Sequence, residues 1–217
     1  MAGAMTDRHQ KQDLSALVLA GGRGQRFRGE KGLALFRGRT LVERALAVLD
    51  CVSDDVWISA NQPKLYGSFG RPIIKDIHPS QGPLGGIHAG LTAVRHDLLA
   101  VGACDMPFLS GELFLYMQSV AGDHEIVVPV RTVGSADRPH YEPLHALYRK
   151  TCLAAIESVL ERGERSVVHL FSSVDIREIP EEEWRAVPGI DPRVFENINT
   201  RGDLSLLATE EESGLHE

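Results

Sequence analysis

The first strong apolar run, Leu14-Ser15-Ala16-Leu17-Val18-Leu19-Ala20, stops abruptly at Gly21-Gly22-Arg23-Gly24. That pattern predicts a buried parallel strand feeding a loop. From Thr40 onward, Leu41, Val42, Ala45, Leu46 and Leu49 fall at helical spacing, and Thr40 with Glu43 forms a capping box that starts the helix. Residues 55–59 read as a second strand, and residues 71–75, weakened by Pro72, as a short third strand near a sheet edge. Apolar residues at 87, 91 and 94 predict a helix over 87–96, with Pro83 or the glycines after it in its first turn. Residues 98–104 form another buried strand, ending at Asp105-Met106-Pro107. Ser110 caps a helix running through Val120; residues 125–130 are a strand and 144–148 an antiparallel one. Residues 151–160 follow as a helix and 174–179 as a strand. The polar, Gly- and Pro-punctuated stretch 131–139 predicts a mobile loop, and the acidic end from Glu210 predicts a frayed tail.

Strand and helix signals alternating at this spacing imply right-handed βαβ units. The predicted architecture is a Rossmann-like three-layer α/β/α fold with a mostly parallel sheet and an antiparallel strand. In such sheets ligands sit beyond the C-terminal strand edge. The loop after Ala20, the segment after Ser59 and Asp105 all fall on that edge.

The chain has 217 residues, 43% hydrophobic and 24% charged, which suits one domain with a full core. The division expected is a flexible N-terminus over 1–12, one domain over 13–208 and an acidic tail over 209–217. Cys51, Cys104 and Cys152 show no C-x-x-C spacing, arguing against a disulfide framework or a structural zinc and for a reducing, cytoplasmic setting. The formal charge of −7 argues against nucleic-acid binding. The opening residues lack an apolar leader core, and no run approaches the roughly 20 apolar residues of a membrane helix.

Against that acidic background, residues 23–39 carry six basic side chains (Arg23, Arg26, Arg28, Lys31, Arg37, Arg39) and one acid, Glu30. Two familiar phosphate motifs fail here. Gly22-Arg23-Gly24-Gln25-Arg26-Phe27 starts as a dinucleotide fingerprint but has Phe27 where close helix packing wants glycine or alanine. Gly24 and Gly29 have P-loop spacing, but Glu30 stands where the lysine belongs. What remains is a phosphate-handling loop of another type, in which glycine N–H groups approach phosphate oxygens and cations neutralise developing charge. A solvated basic loop is the plainer alternative.

With Lys31-Gly32-Leu33, the segment Leu19-Ala20-Gly21-Gly22-Arg23-Gly24-Gln25-Arg26-Phe27 resembles the opening of nucleotidyltransferases, specifically the molybdenum cofactor guanylyltransferases. Gly82-Pro83-Leu84-Gly85-Gly86-Ile87, Ala103-Cys104-Asp105-Met106-Pro107-Phe108 and Phe195-Glu196-Asn197-Ile198-Asn199-Thr200 follow in the family's order. Glu30 and Arg28 depart from the usual aspartate and glycine. The resemblance implies transfer of GMP from GTP to molybdopterin with release of pyrophosphate. Catalysis would then rest on positioning and charge neutralisation.

It also implies site residues. Asp105, with Asn199 as a further candidate, would hold Mg²⁺ between phosphates; a turn or N-cap aspartate is the alternative. Lys31 and Arg26 would contact the triphosphate, unless they are surface charges. Leu19, Ala20, Gly21 and Gly22 would line base and ribose, with Asn61 and Asp76 as further contacts or Asx turns. Gly82 would shape the wall towards the acceptor or open a helix. Asn197 and Asn199 can also simply end a strand. His140 and His145 read as structural or peripheral, and Cys104 as a small buried residue. The rival functions are a molybdopterin cytidylyltransferase, a sugar-phosphate nucleotidyltransferase, or a nucleotide-binding protein without catalysis. Expected partners are GTP, molybdopterin, and molybdenum-insertion and molybdoenzyme chaperone proteins.

Overall fold

The computed structural model describes residues 13–21, 30–75, 82–132 and 139–214, with side chains as far as Leu207. Strand β1 (Leu14–Leu19) lies inside the sheet, flanked in parallel by β4 (Asp55–Ser59) and β6 (Leu98–Ala103). All six residues of β1 and of β6 are buried, as continuous apolar runs covered on both faces require. Beyond β4 comes β5 (Ile73–Ile74), a two-residue edge strand beside Pro72. Beyond β6 comes β9 (His145–Arg149), antiparallel to β6 and to β7 (Ile126–Arg131). β7 pairs in parallel with β10 (Ile176–Ile179) and antiparallel with the short β8 (His140–Tyr141).

Alternate β1 side chains enter two separate cores. Ala16 and Val18 meet residues of α1 (Leu41–Val52), α3 (Gly111–Ser119) and Trp184 of α5 (Glu181–Arg185). Leu17 and Leu19 meet α2 (Gly82–Ala93) and α4 (Leu153–Glu161) on the other face. The expected three-layer α/β/α architecture is therefore present, with a mostly parallel sheet and β9 running against it.

Local signals act where they were expected. The Thr40 hydroxyl accepts from Glu43 N–H while the Glu43 carboxylate takes the Thr40 N–H, completing the capping box of α1. Ser110 caps α3 through Leu113 N–H. Helix α2 starts at Gly82, earlier than its apolar spacing indicates, because Gly82 turns the chain at φ 65° and Pro83 opens the first turn. Residues 133–138 of the predicted loop lie outside the described residues.

A two-stranded hairpin of β2 (Leu35–Phe36) and β3 (Arg39–Thr40) was not predicted. Its strands are too short for alternation to register, and its turn puts Arg37 and Gly38 at φ 52° and 76°. Phe36 and Leu41 pack with Ile198 and with Leu207 of helix α6 (Arg201–Gly214) in a third, small core. That core seats the 195–200 segment beside the end of β6. No described helix is long and apolar enough to cross a membrane.

His145 is core, as expected of a structural histidine. Its ring stacks on Phe114 at 4.3 Å and its Nε2–H donates to the Ser110 carbonyl at 3.3 Å. Burial drives its pKa from 6.5 down to about 3. Between those values the unfolded chain binds a proton that the folded chain refuses, so stability falls as pH drops below 6.5. The expected loss at pH 5 is about 2 kcal/mol. His145→Phe keeps the stacking and removes the proton site. Urea titrations from pH 7 to 5 should therefore show a shallower pH slope in the variant, and equal slopes would mean that His145 protonates freely in the fold.

Candidate active site

The registers of β1, β4 and β6 bring Leu19 level with Ser59 and with Ala103. Gly21, Asn61 and Asp105 each lie two residues past these matched strand ends, on adjacent strands about 4.8 Å apart. The parallel sheet thus gathers three of the predicted positions on one edge. A Cβ on Gly21 would lie 3.6 Å from Asn61 Nδ2, so these two residues face each other.

Lys31 enters from the 3₁₀ turn Lys31–Leu33, and its ammonium donates to Asp105 Oδ2 at 2.7 Å and to Asn199 Oδ1 at 3.1 Å. Three predicted residues from distant parts of the chain therefore share one hydrogen-bonded cluster, with a cation between a carboxylate and a carboxamide. The Lys31 and Asp105 side chains are 17% and 25% exposed, so the pair is half-sheltered and open to a ligand. Asp105 Oδ1 is buried and has no hydrogen-bond partner among the described residues.

The 195–200 segment reaches this point because Ile198 N–H donates to the Asp105 carbonyl at 2.8 Å. Asn199 is then fixed by Asp203, whose carboxylate takes the N–H groups of Asn199 and Thr200 at 2.7 and 2.8 Å. Thr200 Oγ1 accepts from Asp203 N–H in return, a capping box at the start of α6. The backbone bond from Asn199 and then the Thr200 bonds hold the Asp203 carboxyl below its ordinary pKa. Sequence reasoning missed Asp203, although the Thr200-x-x-Asp203 spacing signals it. Asn197 turns aside and donates to the Phe195 carbonyl at 3.2 Å.

A second missed feature is the network around Glu30, the residue before Lys31. Glu30 accepts from Tyr66 Oη at 3.2 Å and from the Gln62 carboxamide, and Tyr66 Oη also lies 3.2 Å from the Ala20 carbonyl. The departure from aspartate at position 30 therefore supplies a longer side chain that ties the Lys31 turn to the segment after β4. Burial and then the nearby Cys104 and Glu30 push the Tyr66 pKa well above its ordinary value, keeping the phenol a donor. Gly32 is pressed against this network, since a Cβ there would lie 2.9 Å from Tyr66 Oη and 3.4 Å from Cys104 Sγ. Burial likewise pushes the Cys104 thiol far up, so it is a neutral packing group.

Other candidates offer less. Leu19 O already accepts from Cys104 N–H, and Ala20 N–H donates to Ser59 O. Leu19 and Ala20 can thus present a ligand with surface more than with spare donors. Gly82 faces the Arg165 carbonyl, 3.5 Å from where its Cβ would stand, and its positive φ alone accounts for glycine. Asp105 is not an N-cap: Ser110 caps the helix that follows. Arg37 and Arg39 make their contacts elsewhere than with Lys31, Asp105 and Asn199. Arg37 lies over the Phe36 ring at 4.8 Å and donates to the Leu207 carbonyl, while Arg39 lines a separate cavity of about 340 Å³ with Arg44, Phe108 and Asp191. Arg26, Gly22 and Asp76 lie outside the described residues.

Comparison with known proteins matches this arrangement to a family. Residues 16–176 match the MobA-like NTP transferase domain. The chain is 34% identical over 195 residues to a molybdenum cofactor guanylyltransferase of Desulfosudis oleivorans, covering 88% of this chain and 92% of that protein. It is 39% identical over 205 residues to a probable molybdenum cofactor guanylyltransferase of Methanosarcina acetivorans, covering 88% of both chains. Among solved structures, molybdopterin-guanine dinucleotide biosynthesis protein A from Archaeoglobus fulgidus superposes with a TM-score of 0.76 at 25% identity, over 92% of this chain and 99% of that one. The fold extends to 4-diphosphocytidyl-2C-methyl-D-erythritol synthase of Anaerococcus prevotii, at a TM-score of 0.69, 14% identity, and coverage of 93% and 97% of the two chains. The chain belongs to the family of MobA-like NTP transferases.

Proposed function

We propose that this protein transfers GMP from GTP to molybdopterin and releases pyrophosphate, through one catalytic domain spanning residues 13–208. The observation that carries the reading is the Lys31, Asp105 and Asn199 cluster at the C-terminal sheet edge, with Gly21 and Asn61 beside it. The nucleotide lies over Gly21 and Asn61, with Leu19 and Ala20 beneath and Gly82 at its margin; Gly22 and Asp76 are assigned to nucleotide binding by the family resemblance alone. Its phosphates point towards Lys31, and Arg26 is assigned to them by the family resemblance alone. Base preference rests on the relatives' names, because no described side chain on this edge reads guanine by itself.

The donor set suits Mg²⁺, which takes one or two carboxylates and otherwise phosphates and water. Asp105 carries an unsatisfied buried oxygen, and its other oxygen, with Asn199 Oδ1, already surrounds a cation, the Lys31 ammonium. Asp105 and Asn199 would hold the metal, which would neutralise phosphate charge when bound. Lys31 then turns from Asp105 to the phosphates, and the acceptor phosphate approaches from the side of Asp105 opposite Asn61. The product would pass to molybdenum-insertion or chaperone proteins.

The deciding test is incubation with carrier-loaded molybdopterin, Mg²⁺ and each NTP in turn, following pyrophosphate. GTP is expected to be turned over in preference to CTP. Equal or faster turnover of CTP would transfer the assignment to a cytidylyltransferase.

A further inference from the structure

Tyr66 is fully buried, just past the single turn Pro63–Leu65 in the segment after β4. Its hydroxyl oxygen lies 3.2 Å from Glu30 Oε2 and 3.2 Å from the Ala20 carbonyl, and a Cβ on Gly32 would stand only 2.9 Å from it. Glu30 and Gly32 are the residues on either side of Lys31, and Ala20 precedes Gly21. The Cys104 thiol, from the residue before Asp105, closes the same space at 3.4 Å from that Gly32 position. One phenol oxygen is thus set against the immediate chain neighbours of Gly21 and Lys31, with the neighbour of Asp105 beside it.

The turn that carries Lys31 has little to hold it by itself. Its backbone bonds are those of Leu33 N–H to Glu30 and of Ala34 N–H to Lys31, and no side chain caps it. A lone 3₁₀ turn of this kind is marginal, so its place is set by what anchors its two ends. Leu33 packs its far end against the core. At the near end, the Glu30 carboxylate takes the Gln62 carboxamide and the Tyr66 hydroxyl. A buried hydroxyl must be paired, and a carboxylate is its stronger acceptor. Glu30 is therefore the one side chain that links the rigid phenol to the residue before the lysine.

We propose that the Tyr66 hydroxyl, acting through Glu30, is the positioning group that holds Lys31 at the phosphate site. The inference rests on the transferase reading above. The experiment is calorimetry with GTP and Mg²⁺ on Tyr66→Phe in two backgrounds, wild type and Lys31→Ala. In the first, loss of one hydrogen bond should weaken GTP binding about three- to tenfold. In the second, the same change should weaken it less than about twofold, because no lysine remains to be positioned. A hydroxyl that served only packing, or only the Ala20 side, would give the same factor in both. Glu30→Ala removes a negative charge from beside the triphosphate, which alone favours binding, so the weaker binding expected of it reports position and not charge. Each variant is compared at matching circular dichroism, and Glu30→Ala in the same two backgrounds decides if Tyr66→Phe does not fold. Unchanged affinity in Tyr66→Phe, equal losses in the two backgrounds, or unchanged or tighter binding by Glu30→Ala overturns the inference and leaves the transferase reading in place. A wild-type protein that binds no GTP overturns both.

Discussion

Asp105→Asn is expected to remove most nucleotidyl transfer, on the order of a hundredfold or more, while the protein stays folded and still binds GTP. Asparagine preserves the size of the side chain and can still accept from Lys31. The backbone carbonyl that receives Ile198 N–H at 2.8 Å is untouched, so the 195–200 segment keeps its seat. What disappears is the negative charge that offsets the Lys31 ammonium in the free protein and would draw a metal once phosphates arrive. Several kcal/mol of stabilisation for the departing pyrophosphate go with it. An aspartate kept only for local structure would behave otherwise, since asparagine serves turns and caps nearly as well. Ser110 already holds the cap of the following helix. Pyrophosphate release, far-UV circular dichroism and GTP calorimetry on the one variant separate these cases. Near-normal turnover at saturating Mg²⁺ would end the metal-holding role of Asp105.

Asp105 was legible in the sequence because its position follows from pattern alone. A short continuous apolar run among alternating strand and helix signals reads as a buried parallel strand, whose C-terminal end falls on the ligand edge, and β6 with Asp105 fulfils both conditions. The same logic located Gly21 and Asn61, since strand registers level the ends of β1 and β4. The hairpin around Arg37 escaped because two-residue strands carry no period, so charge counting merged its arginines with the phosphate loop. Glu30, Gln62 and Tyr66 escaped for another reason: their network joins segments more than 30 residues apart, and only tertiary packing reveals it.

Lys31→Ala is expected to weaken GTP binding by roughly ten- to a hundredfold, the value of one charge-assisted hydrogen bond to phosphate, about 1.5 to 3 kcal/mol. Lys31 lies in a partly exposed turn, outside the apolar cores, so its removal should leave the fold in place. In the free protein its ammonium is committed to Asp105 and Asn199, and it must leave them to reach a phosphate. The substitution therefore also uncovers Asp105 and removes a competitor for any cation there. The two residues share one interaction, so the double variant Lys31→Ala, Asp105→Asn should lose less activity than the two single losses multiplied. Lys31→Arg should fall between wild type and Lys31→Ala, because charge is kept while the bulkier head must fit beside Gly32, whose space is closed by Tyr66. Calorimetry with GTP on the single variants, and turnover for the double variant, measure these effects. Unchanged GTP affinity in Lys31→Ala would remove the lysine from the phosphate site, and multiplicative losses in the double variant would show that the ion pair with Asp105 carries no part of the catalysis.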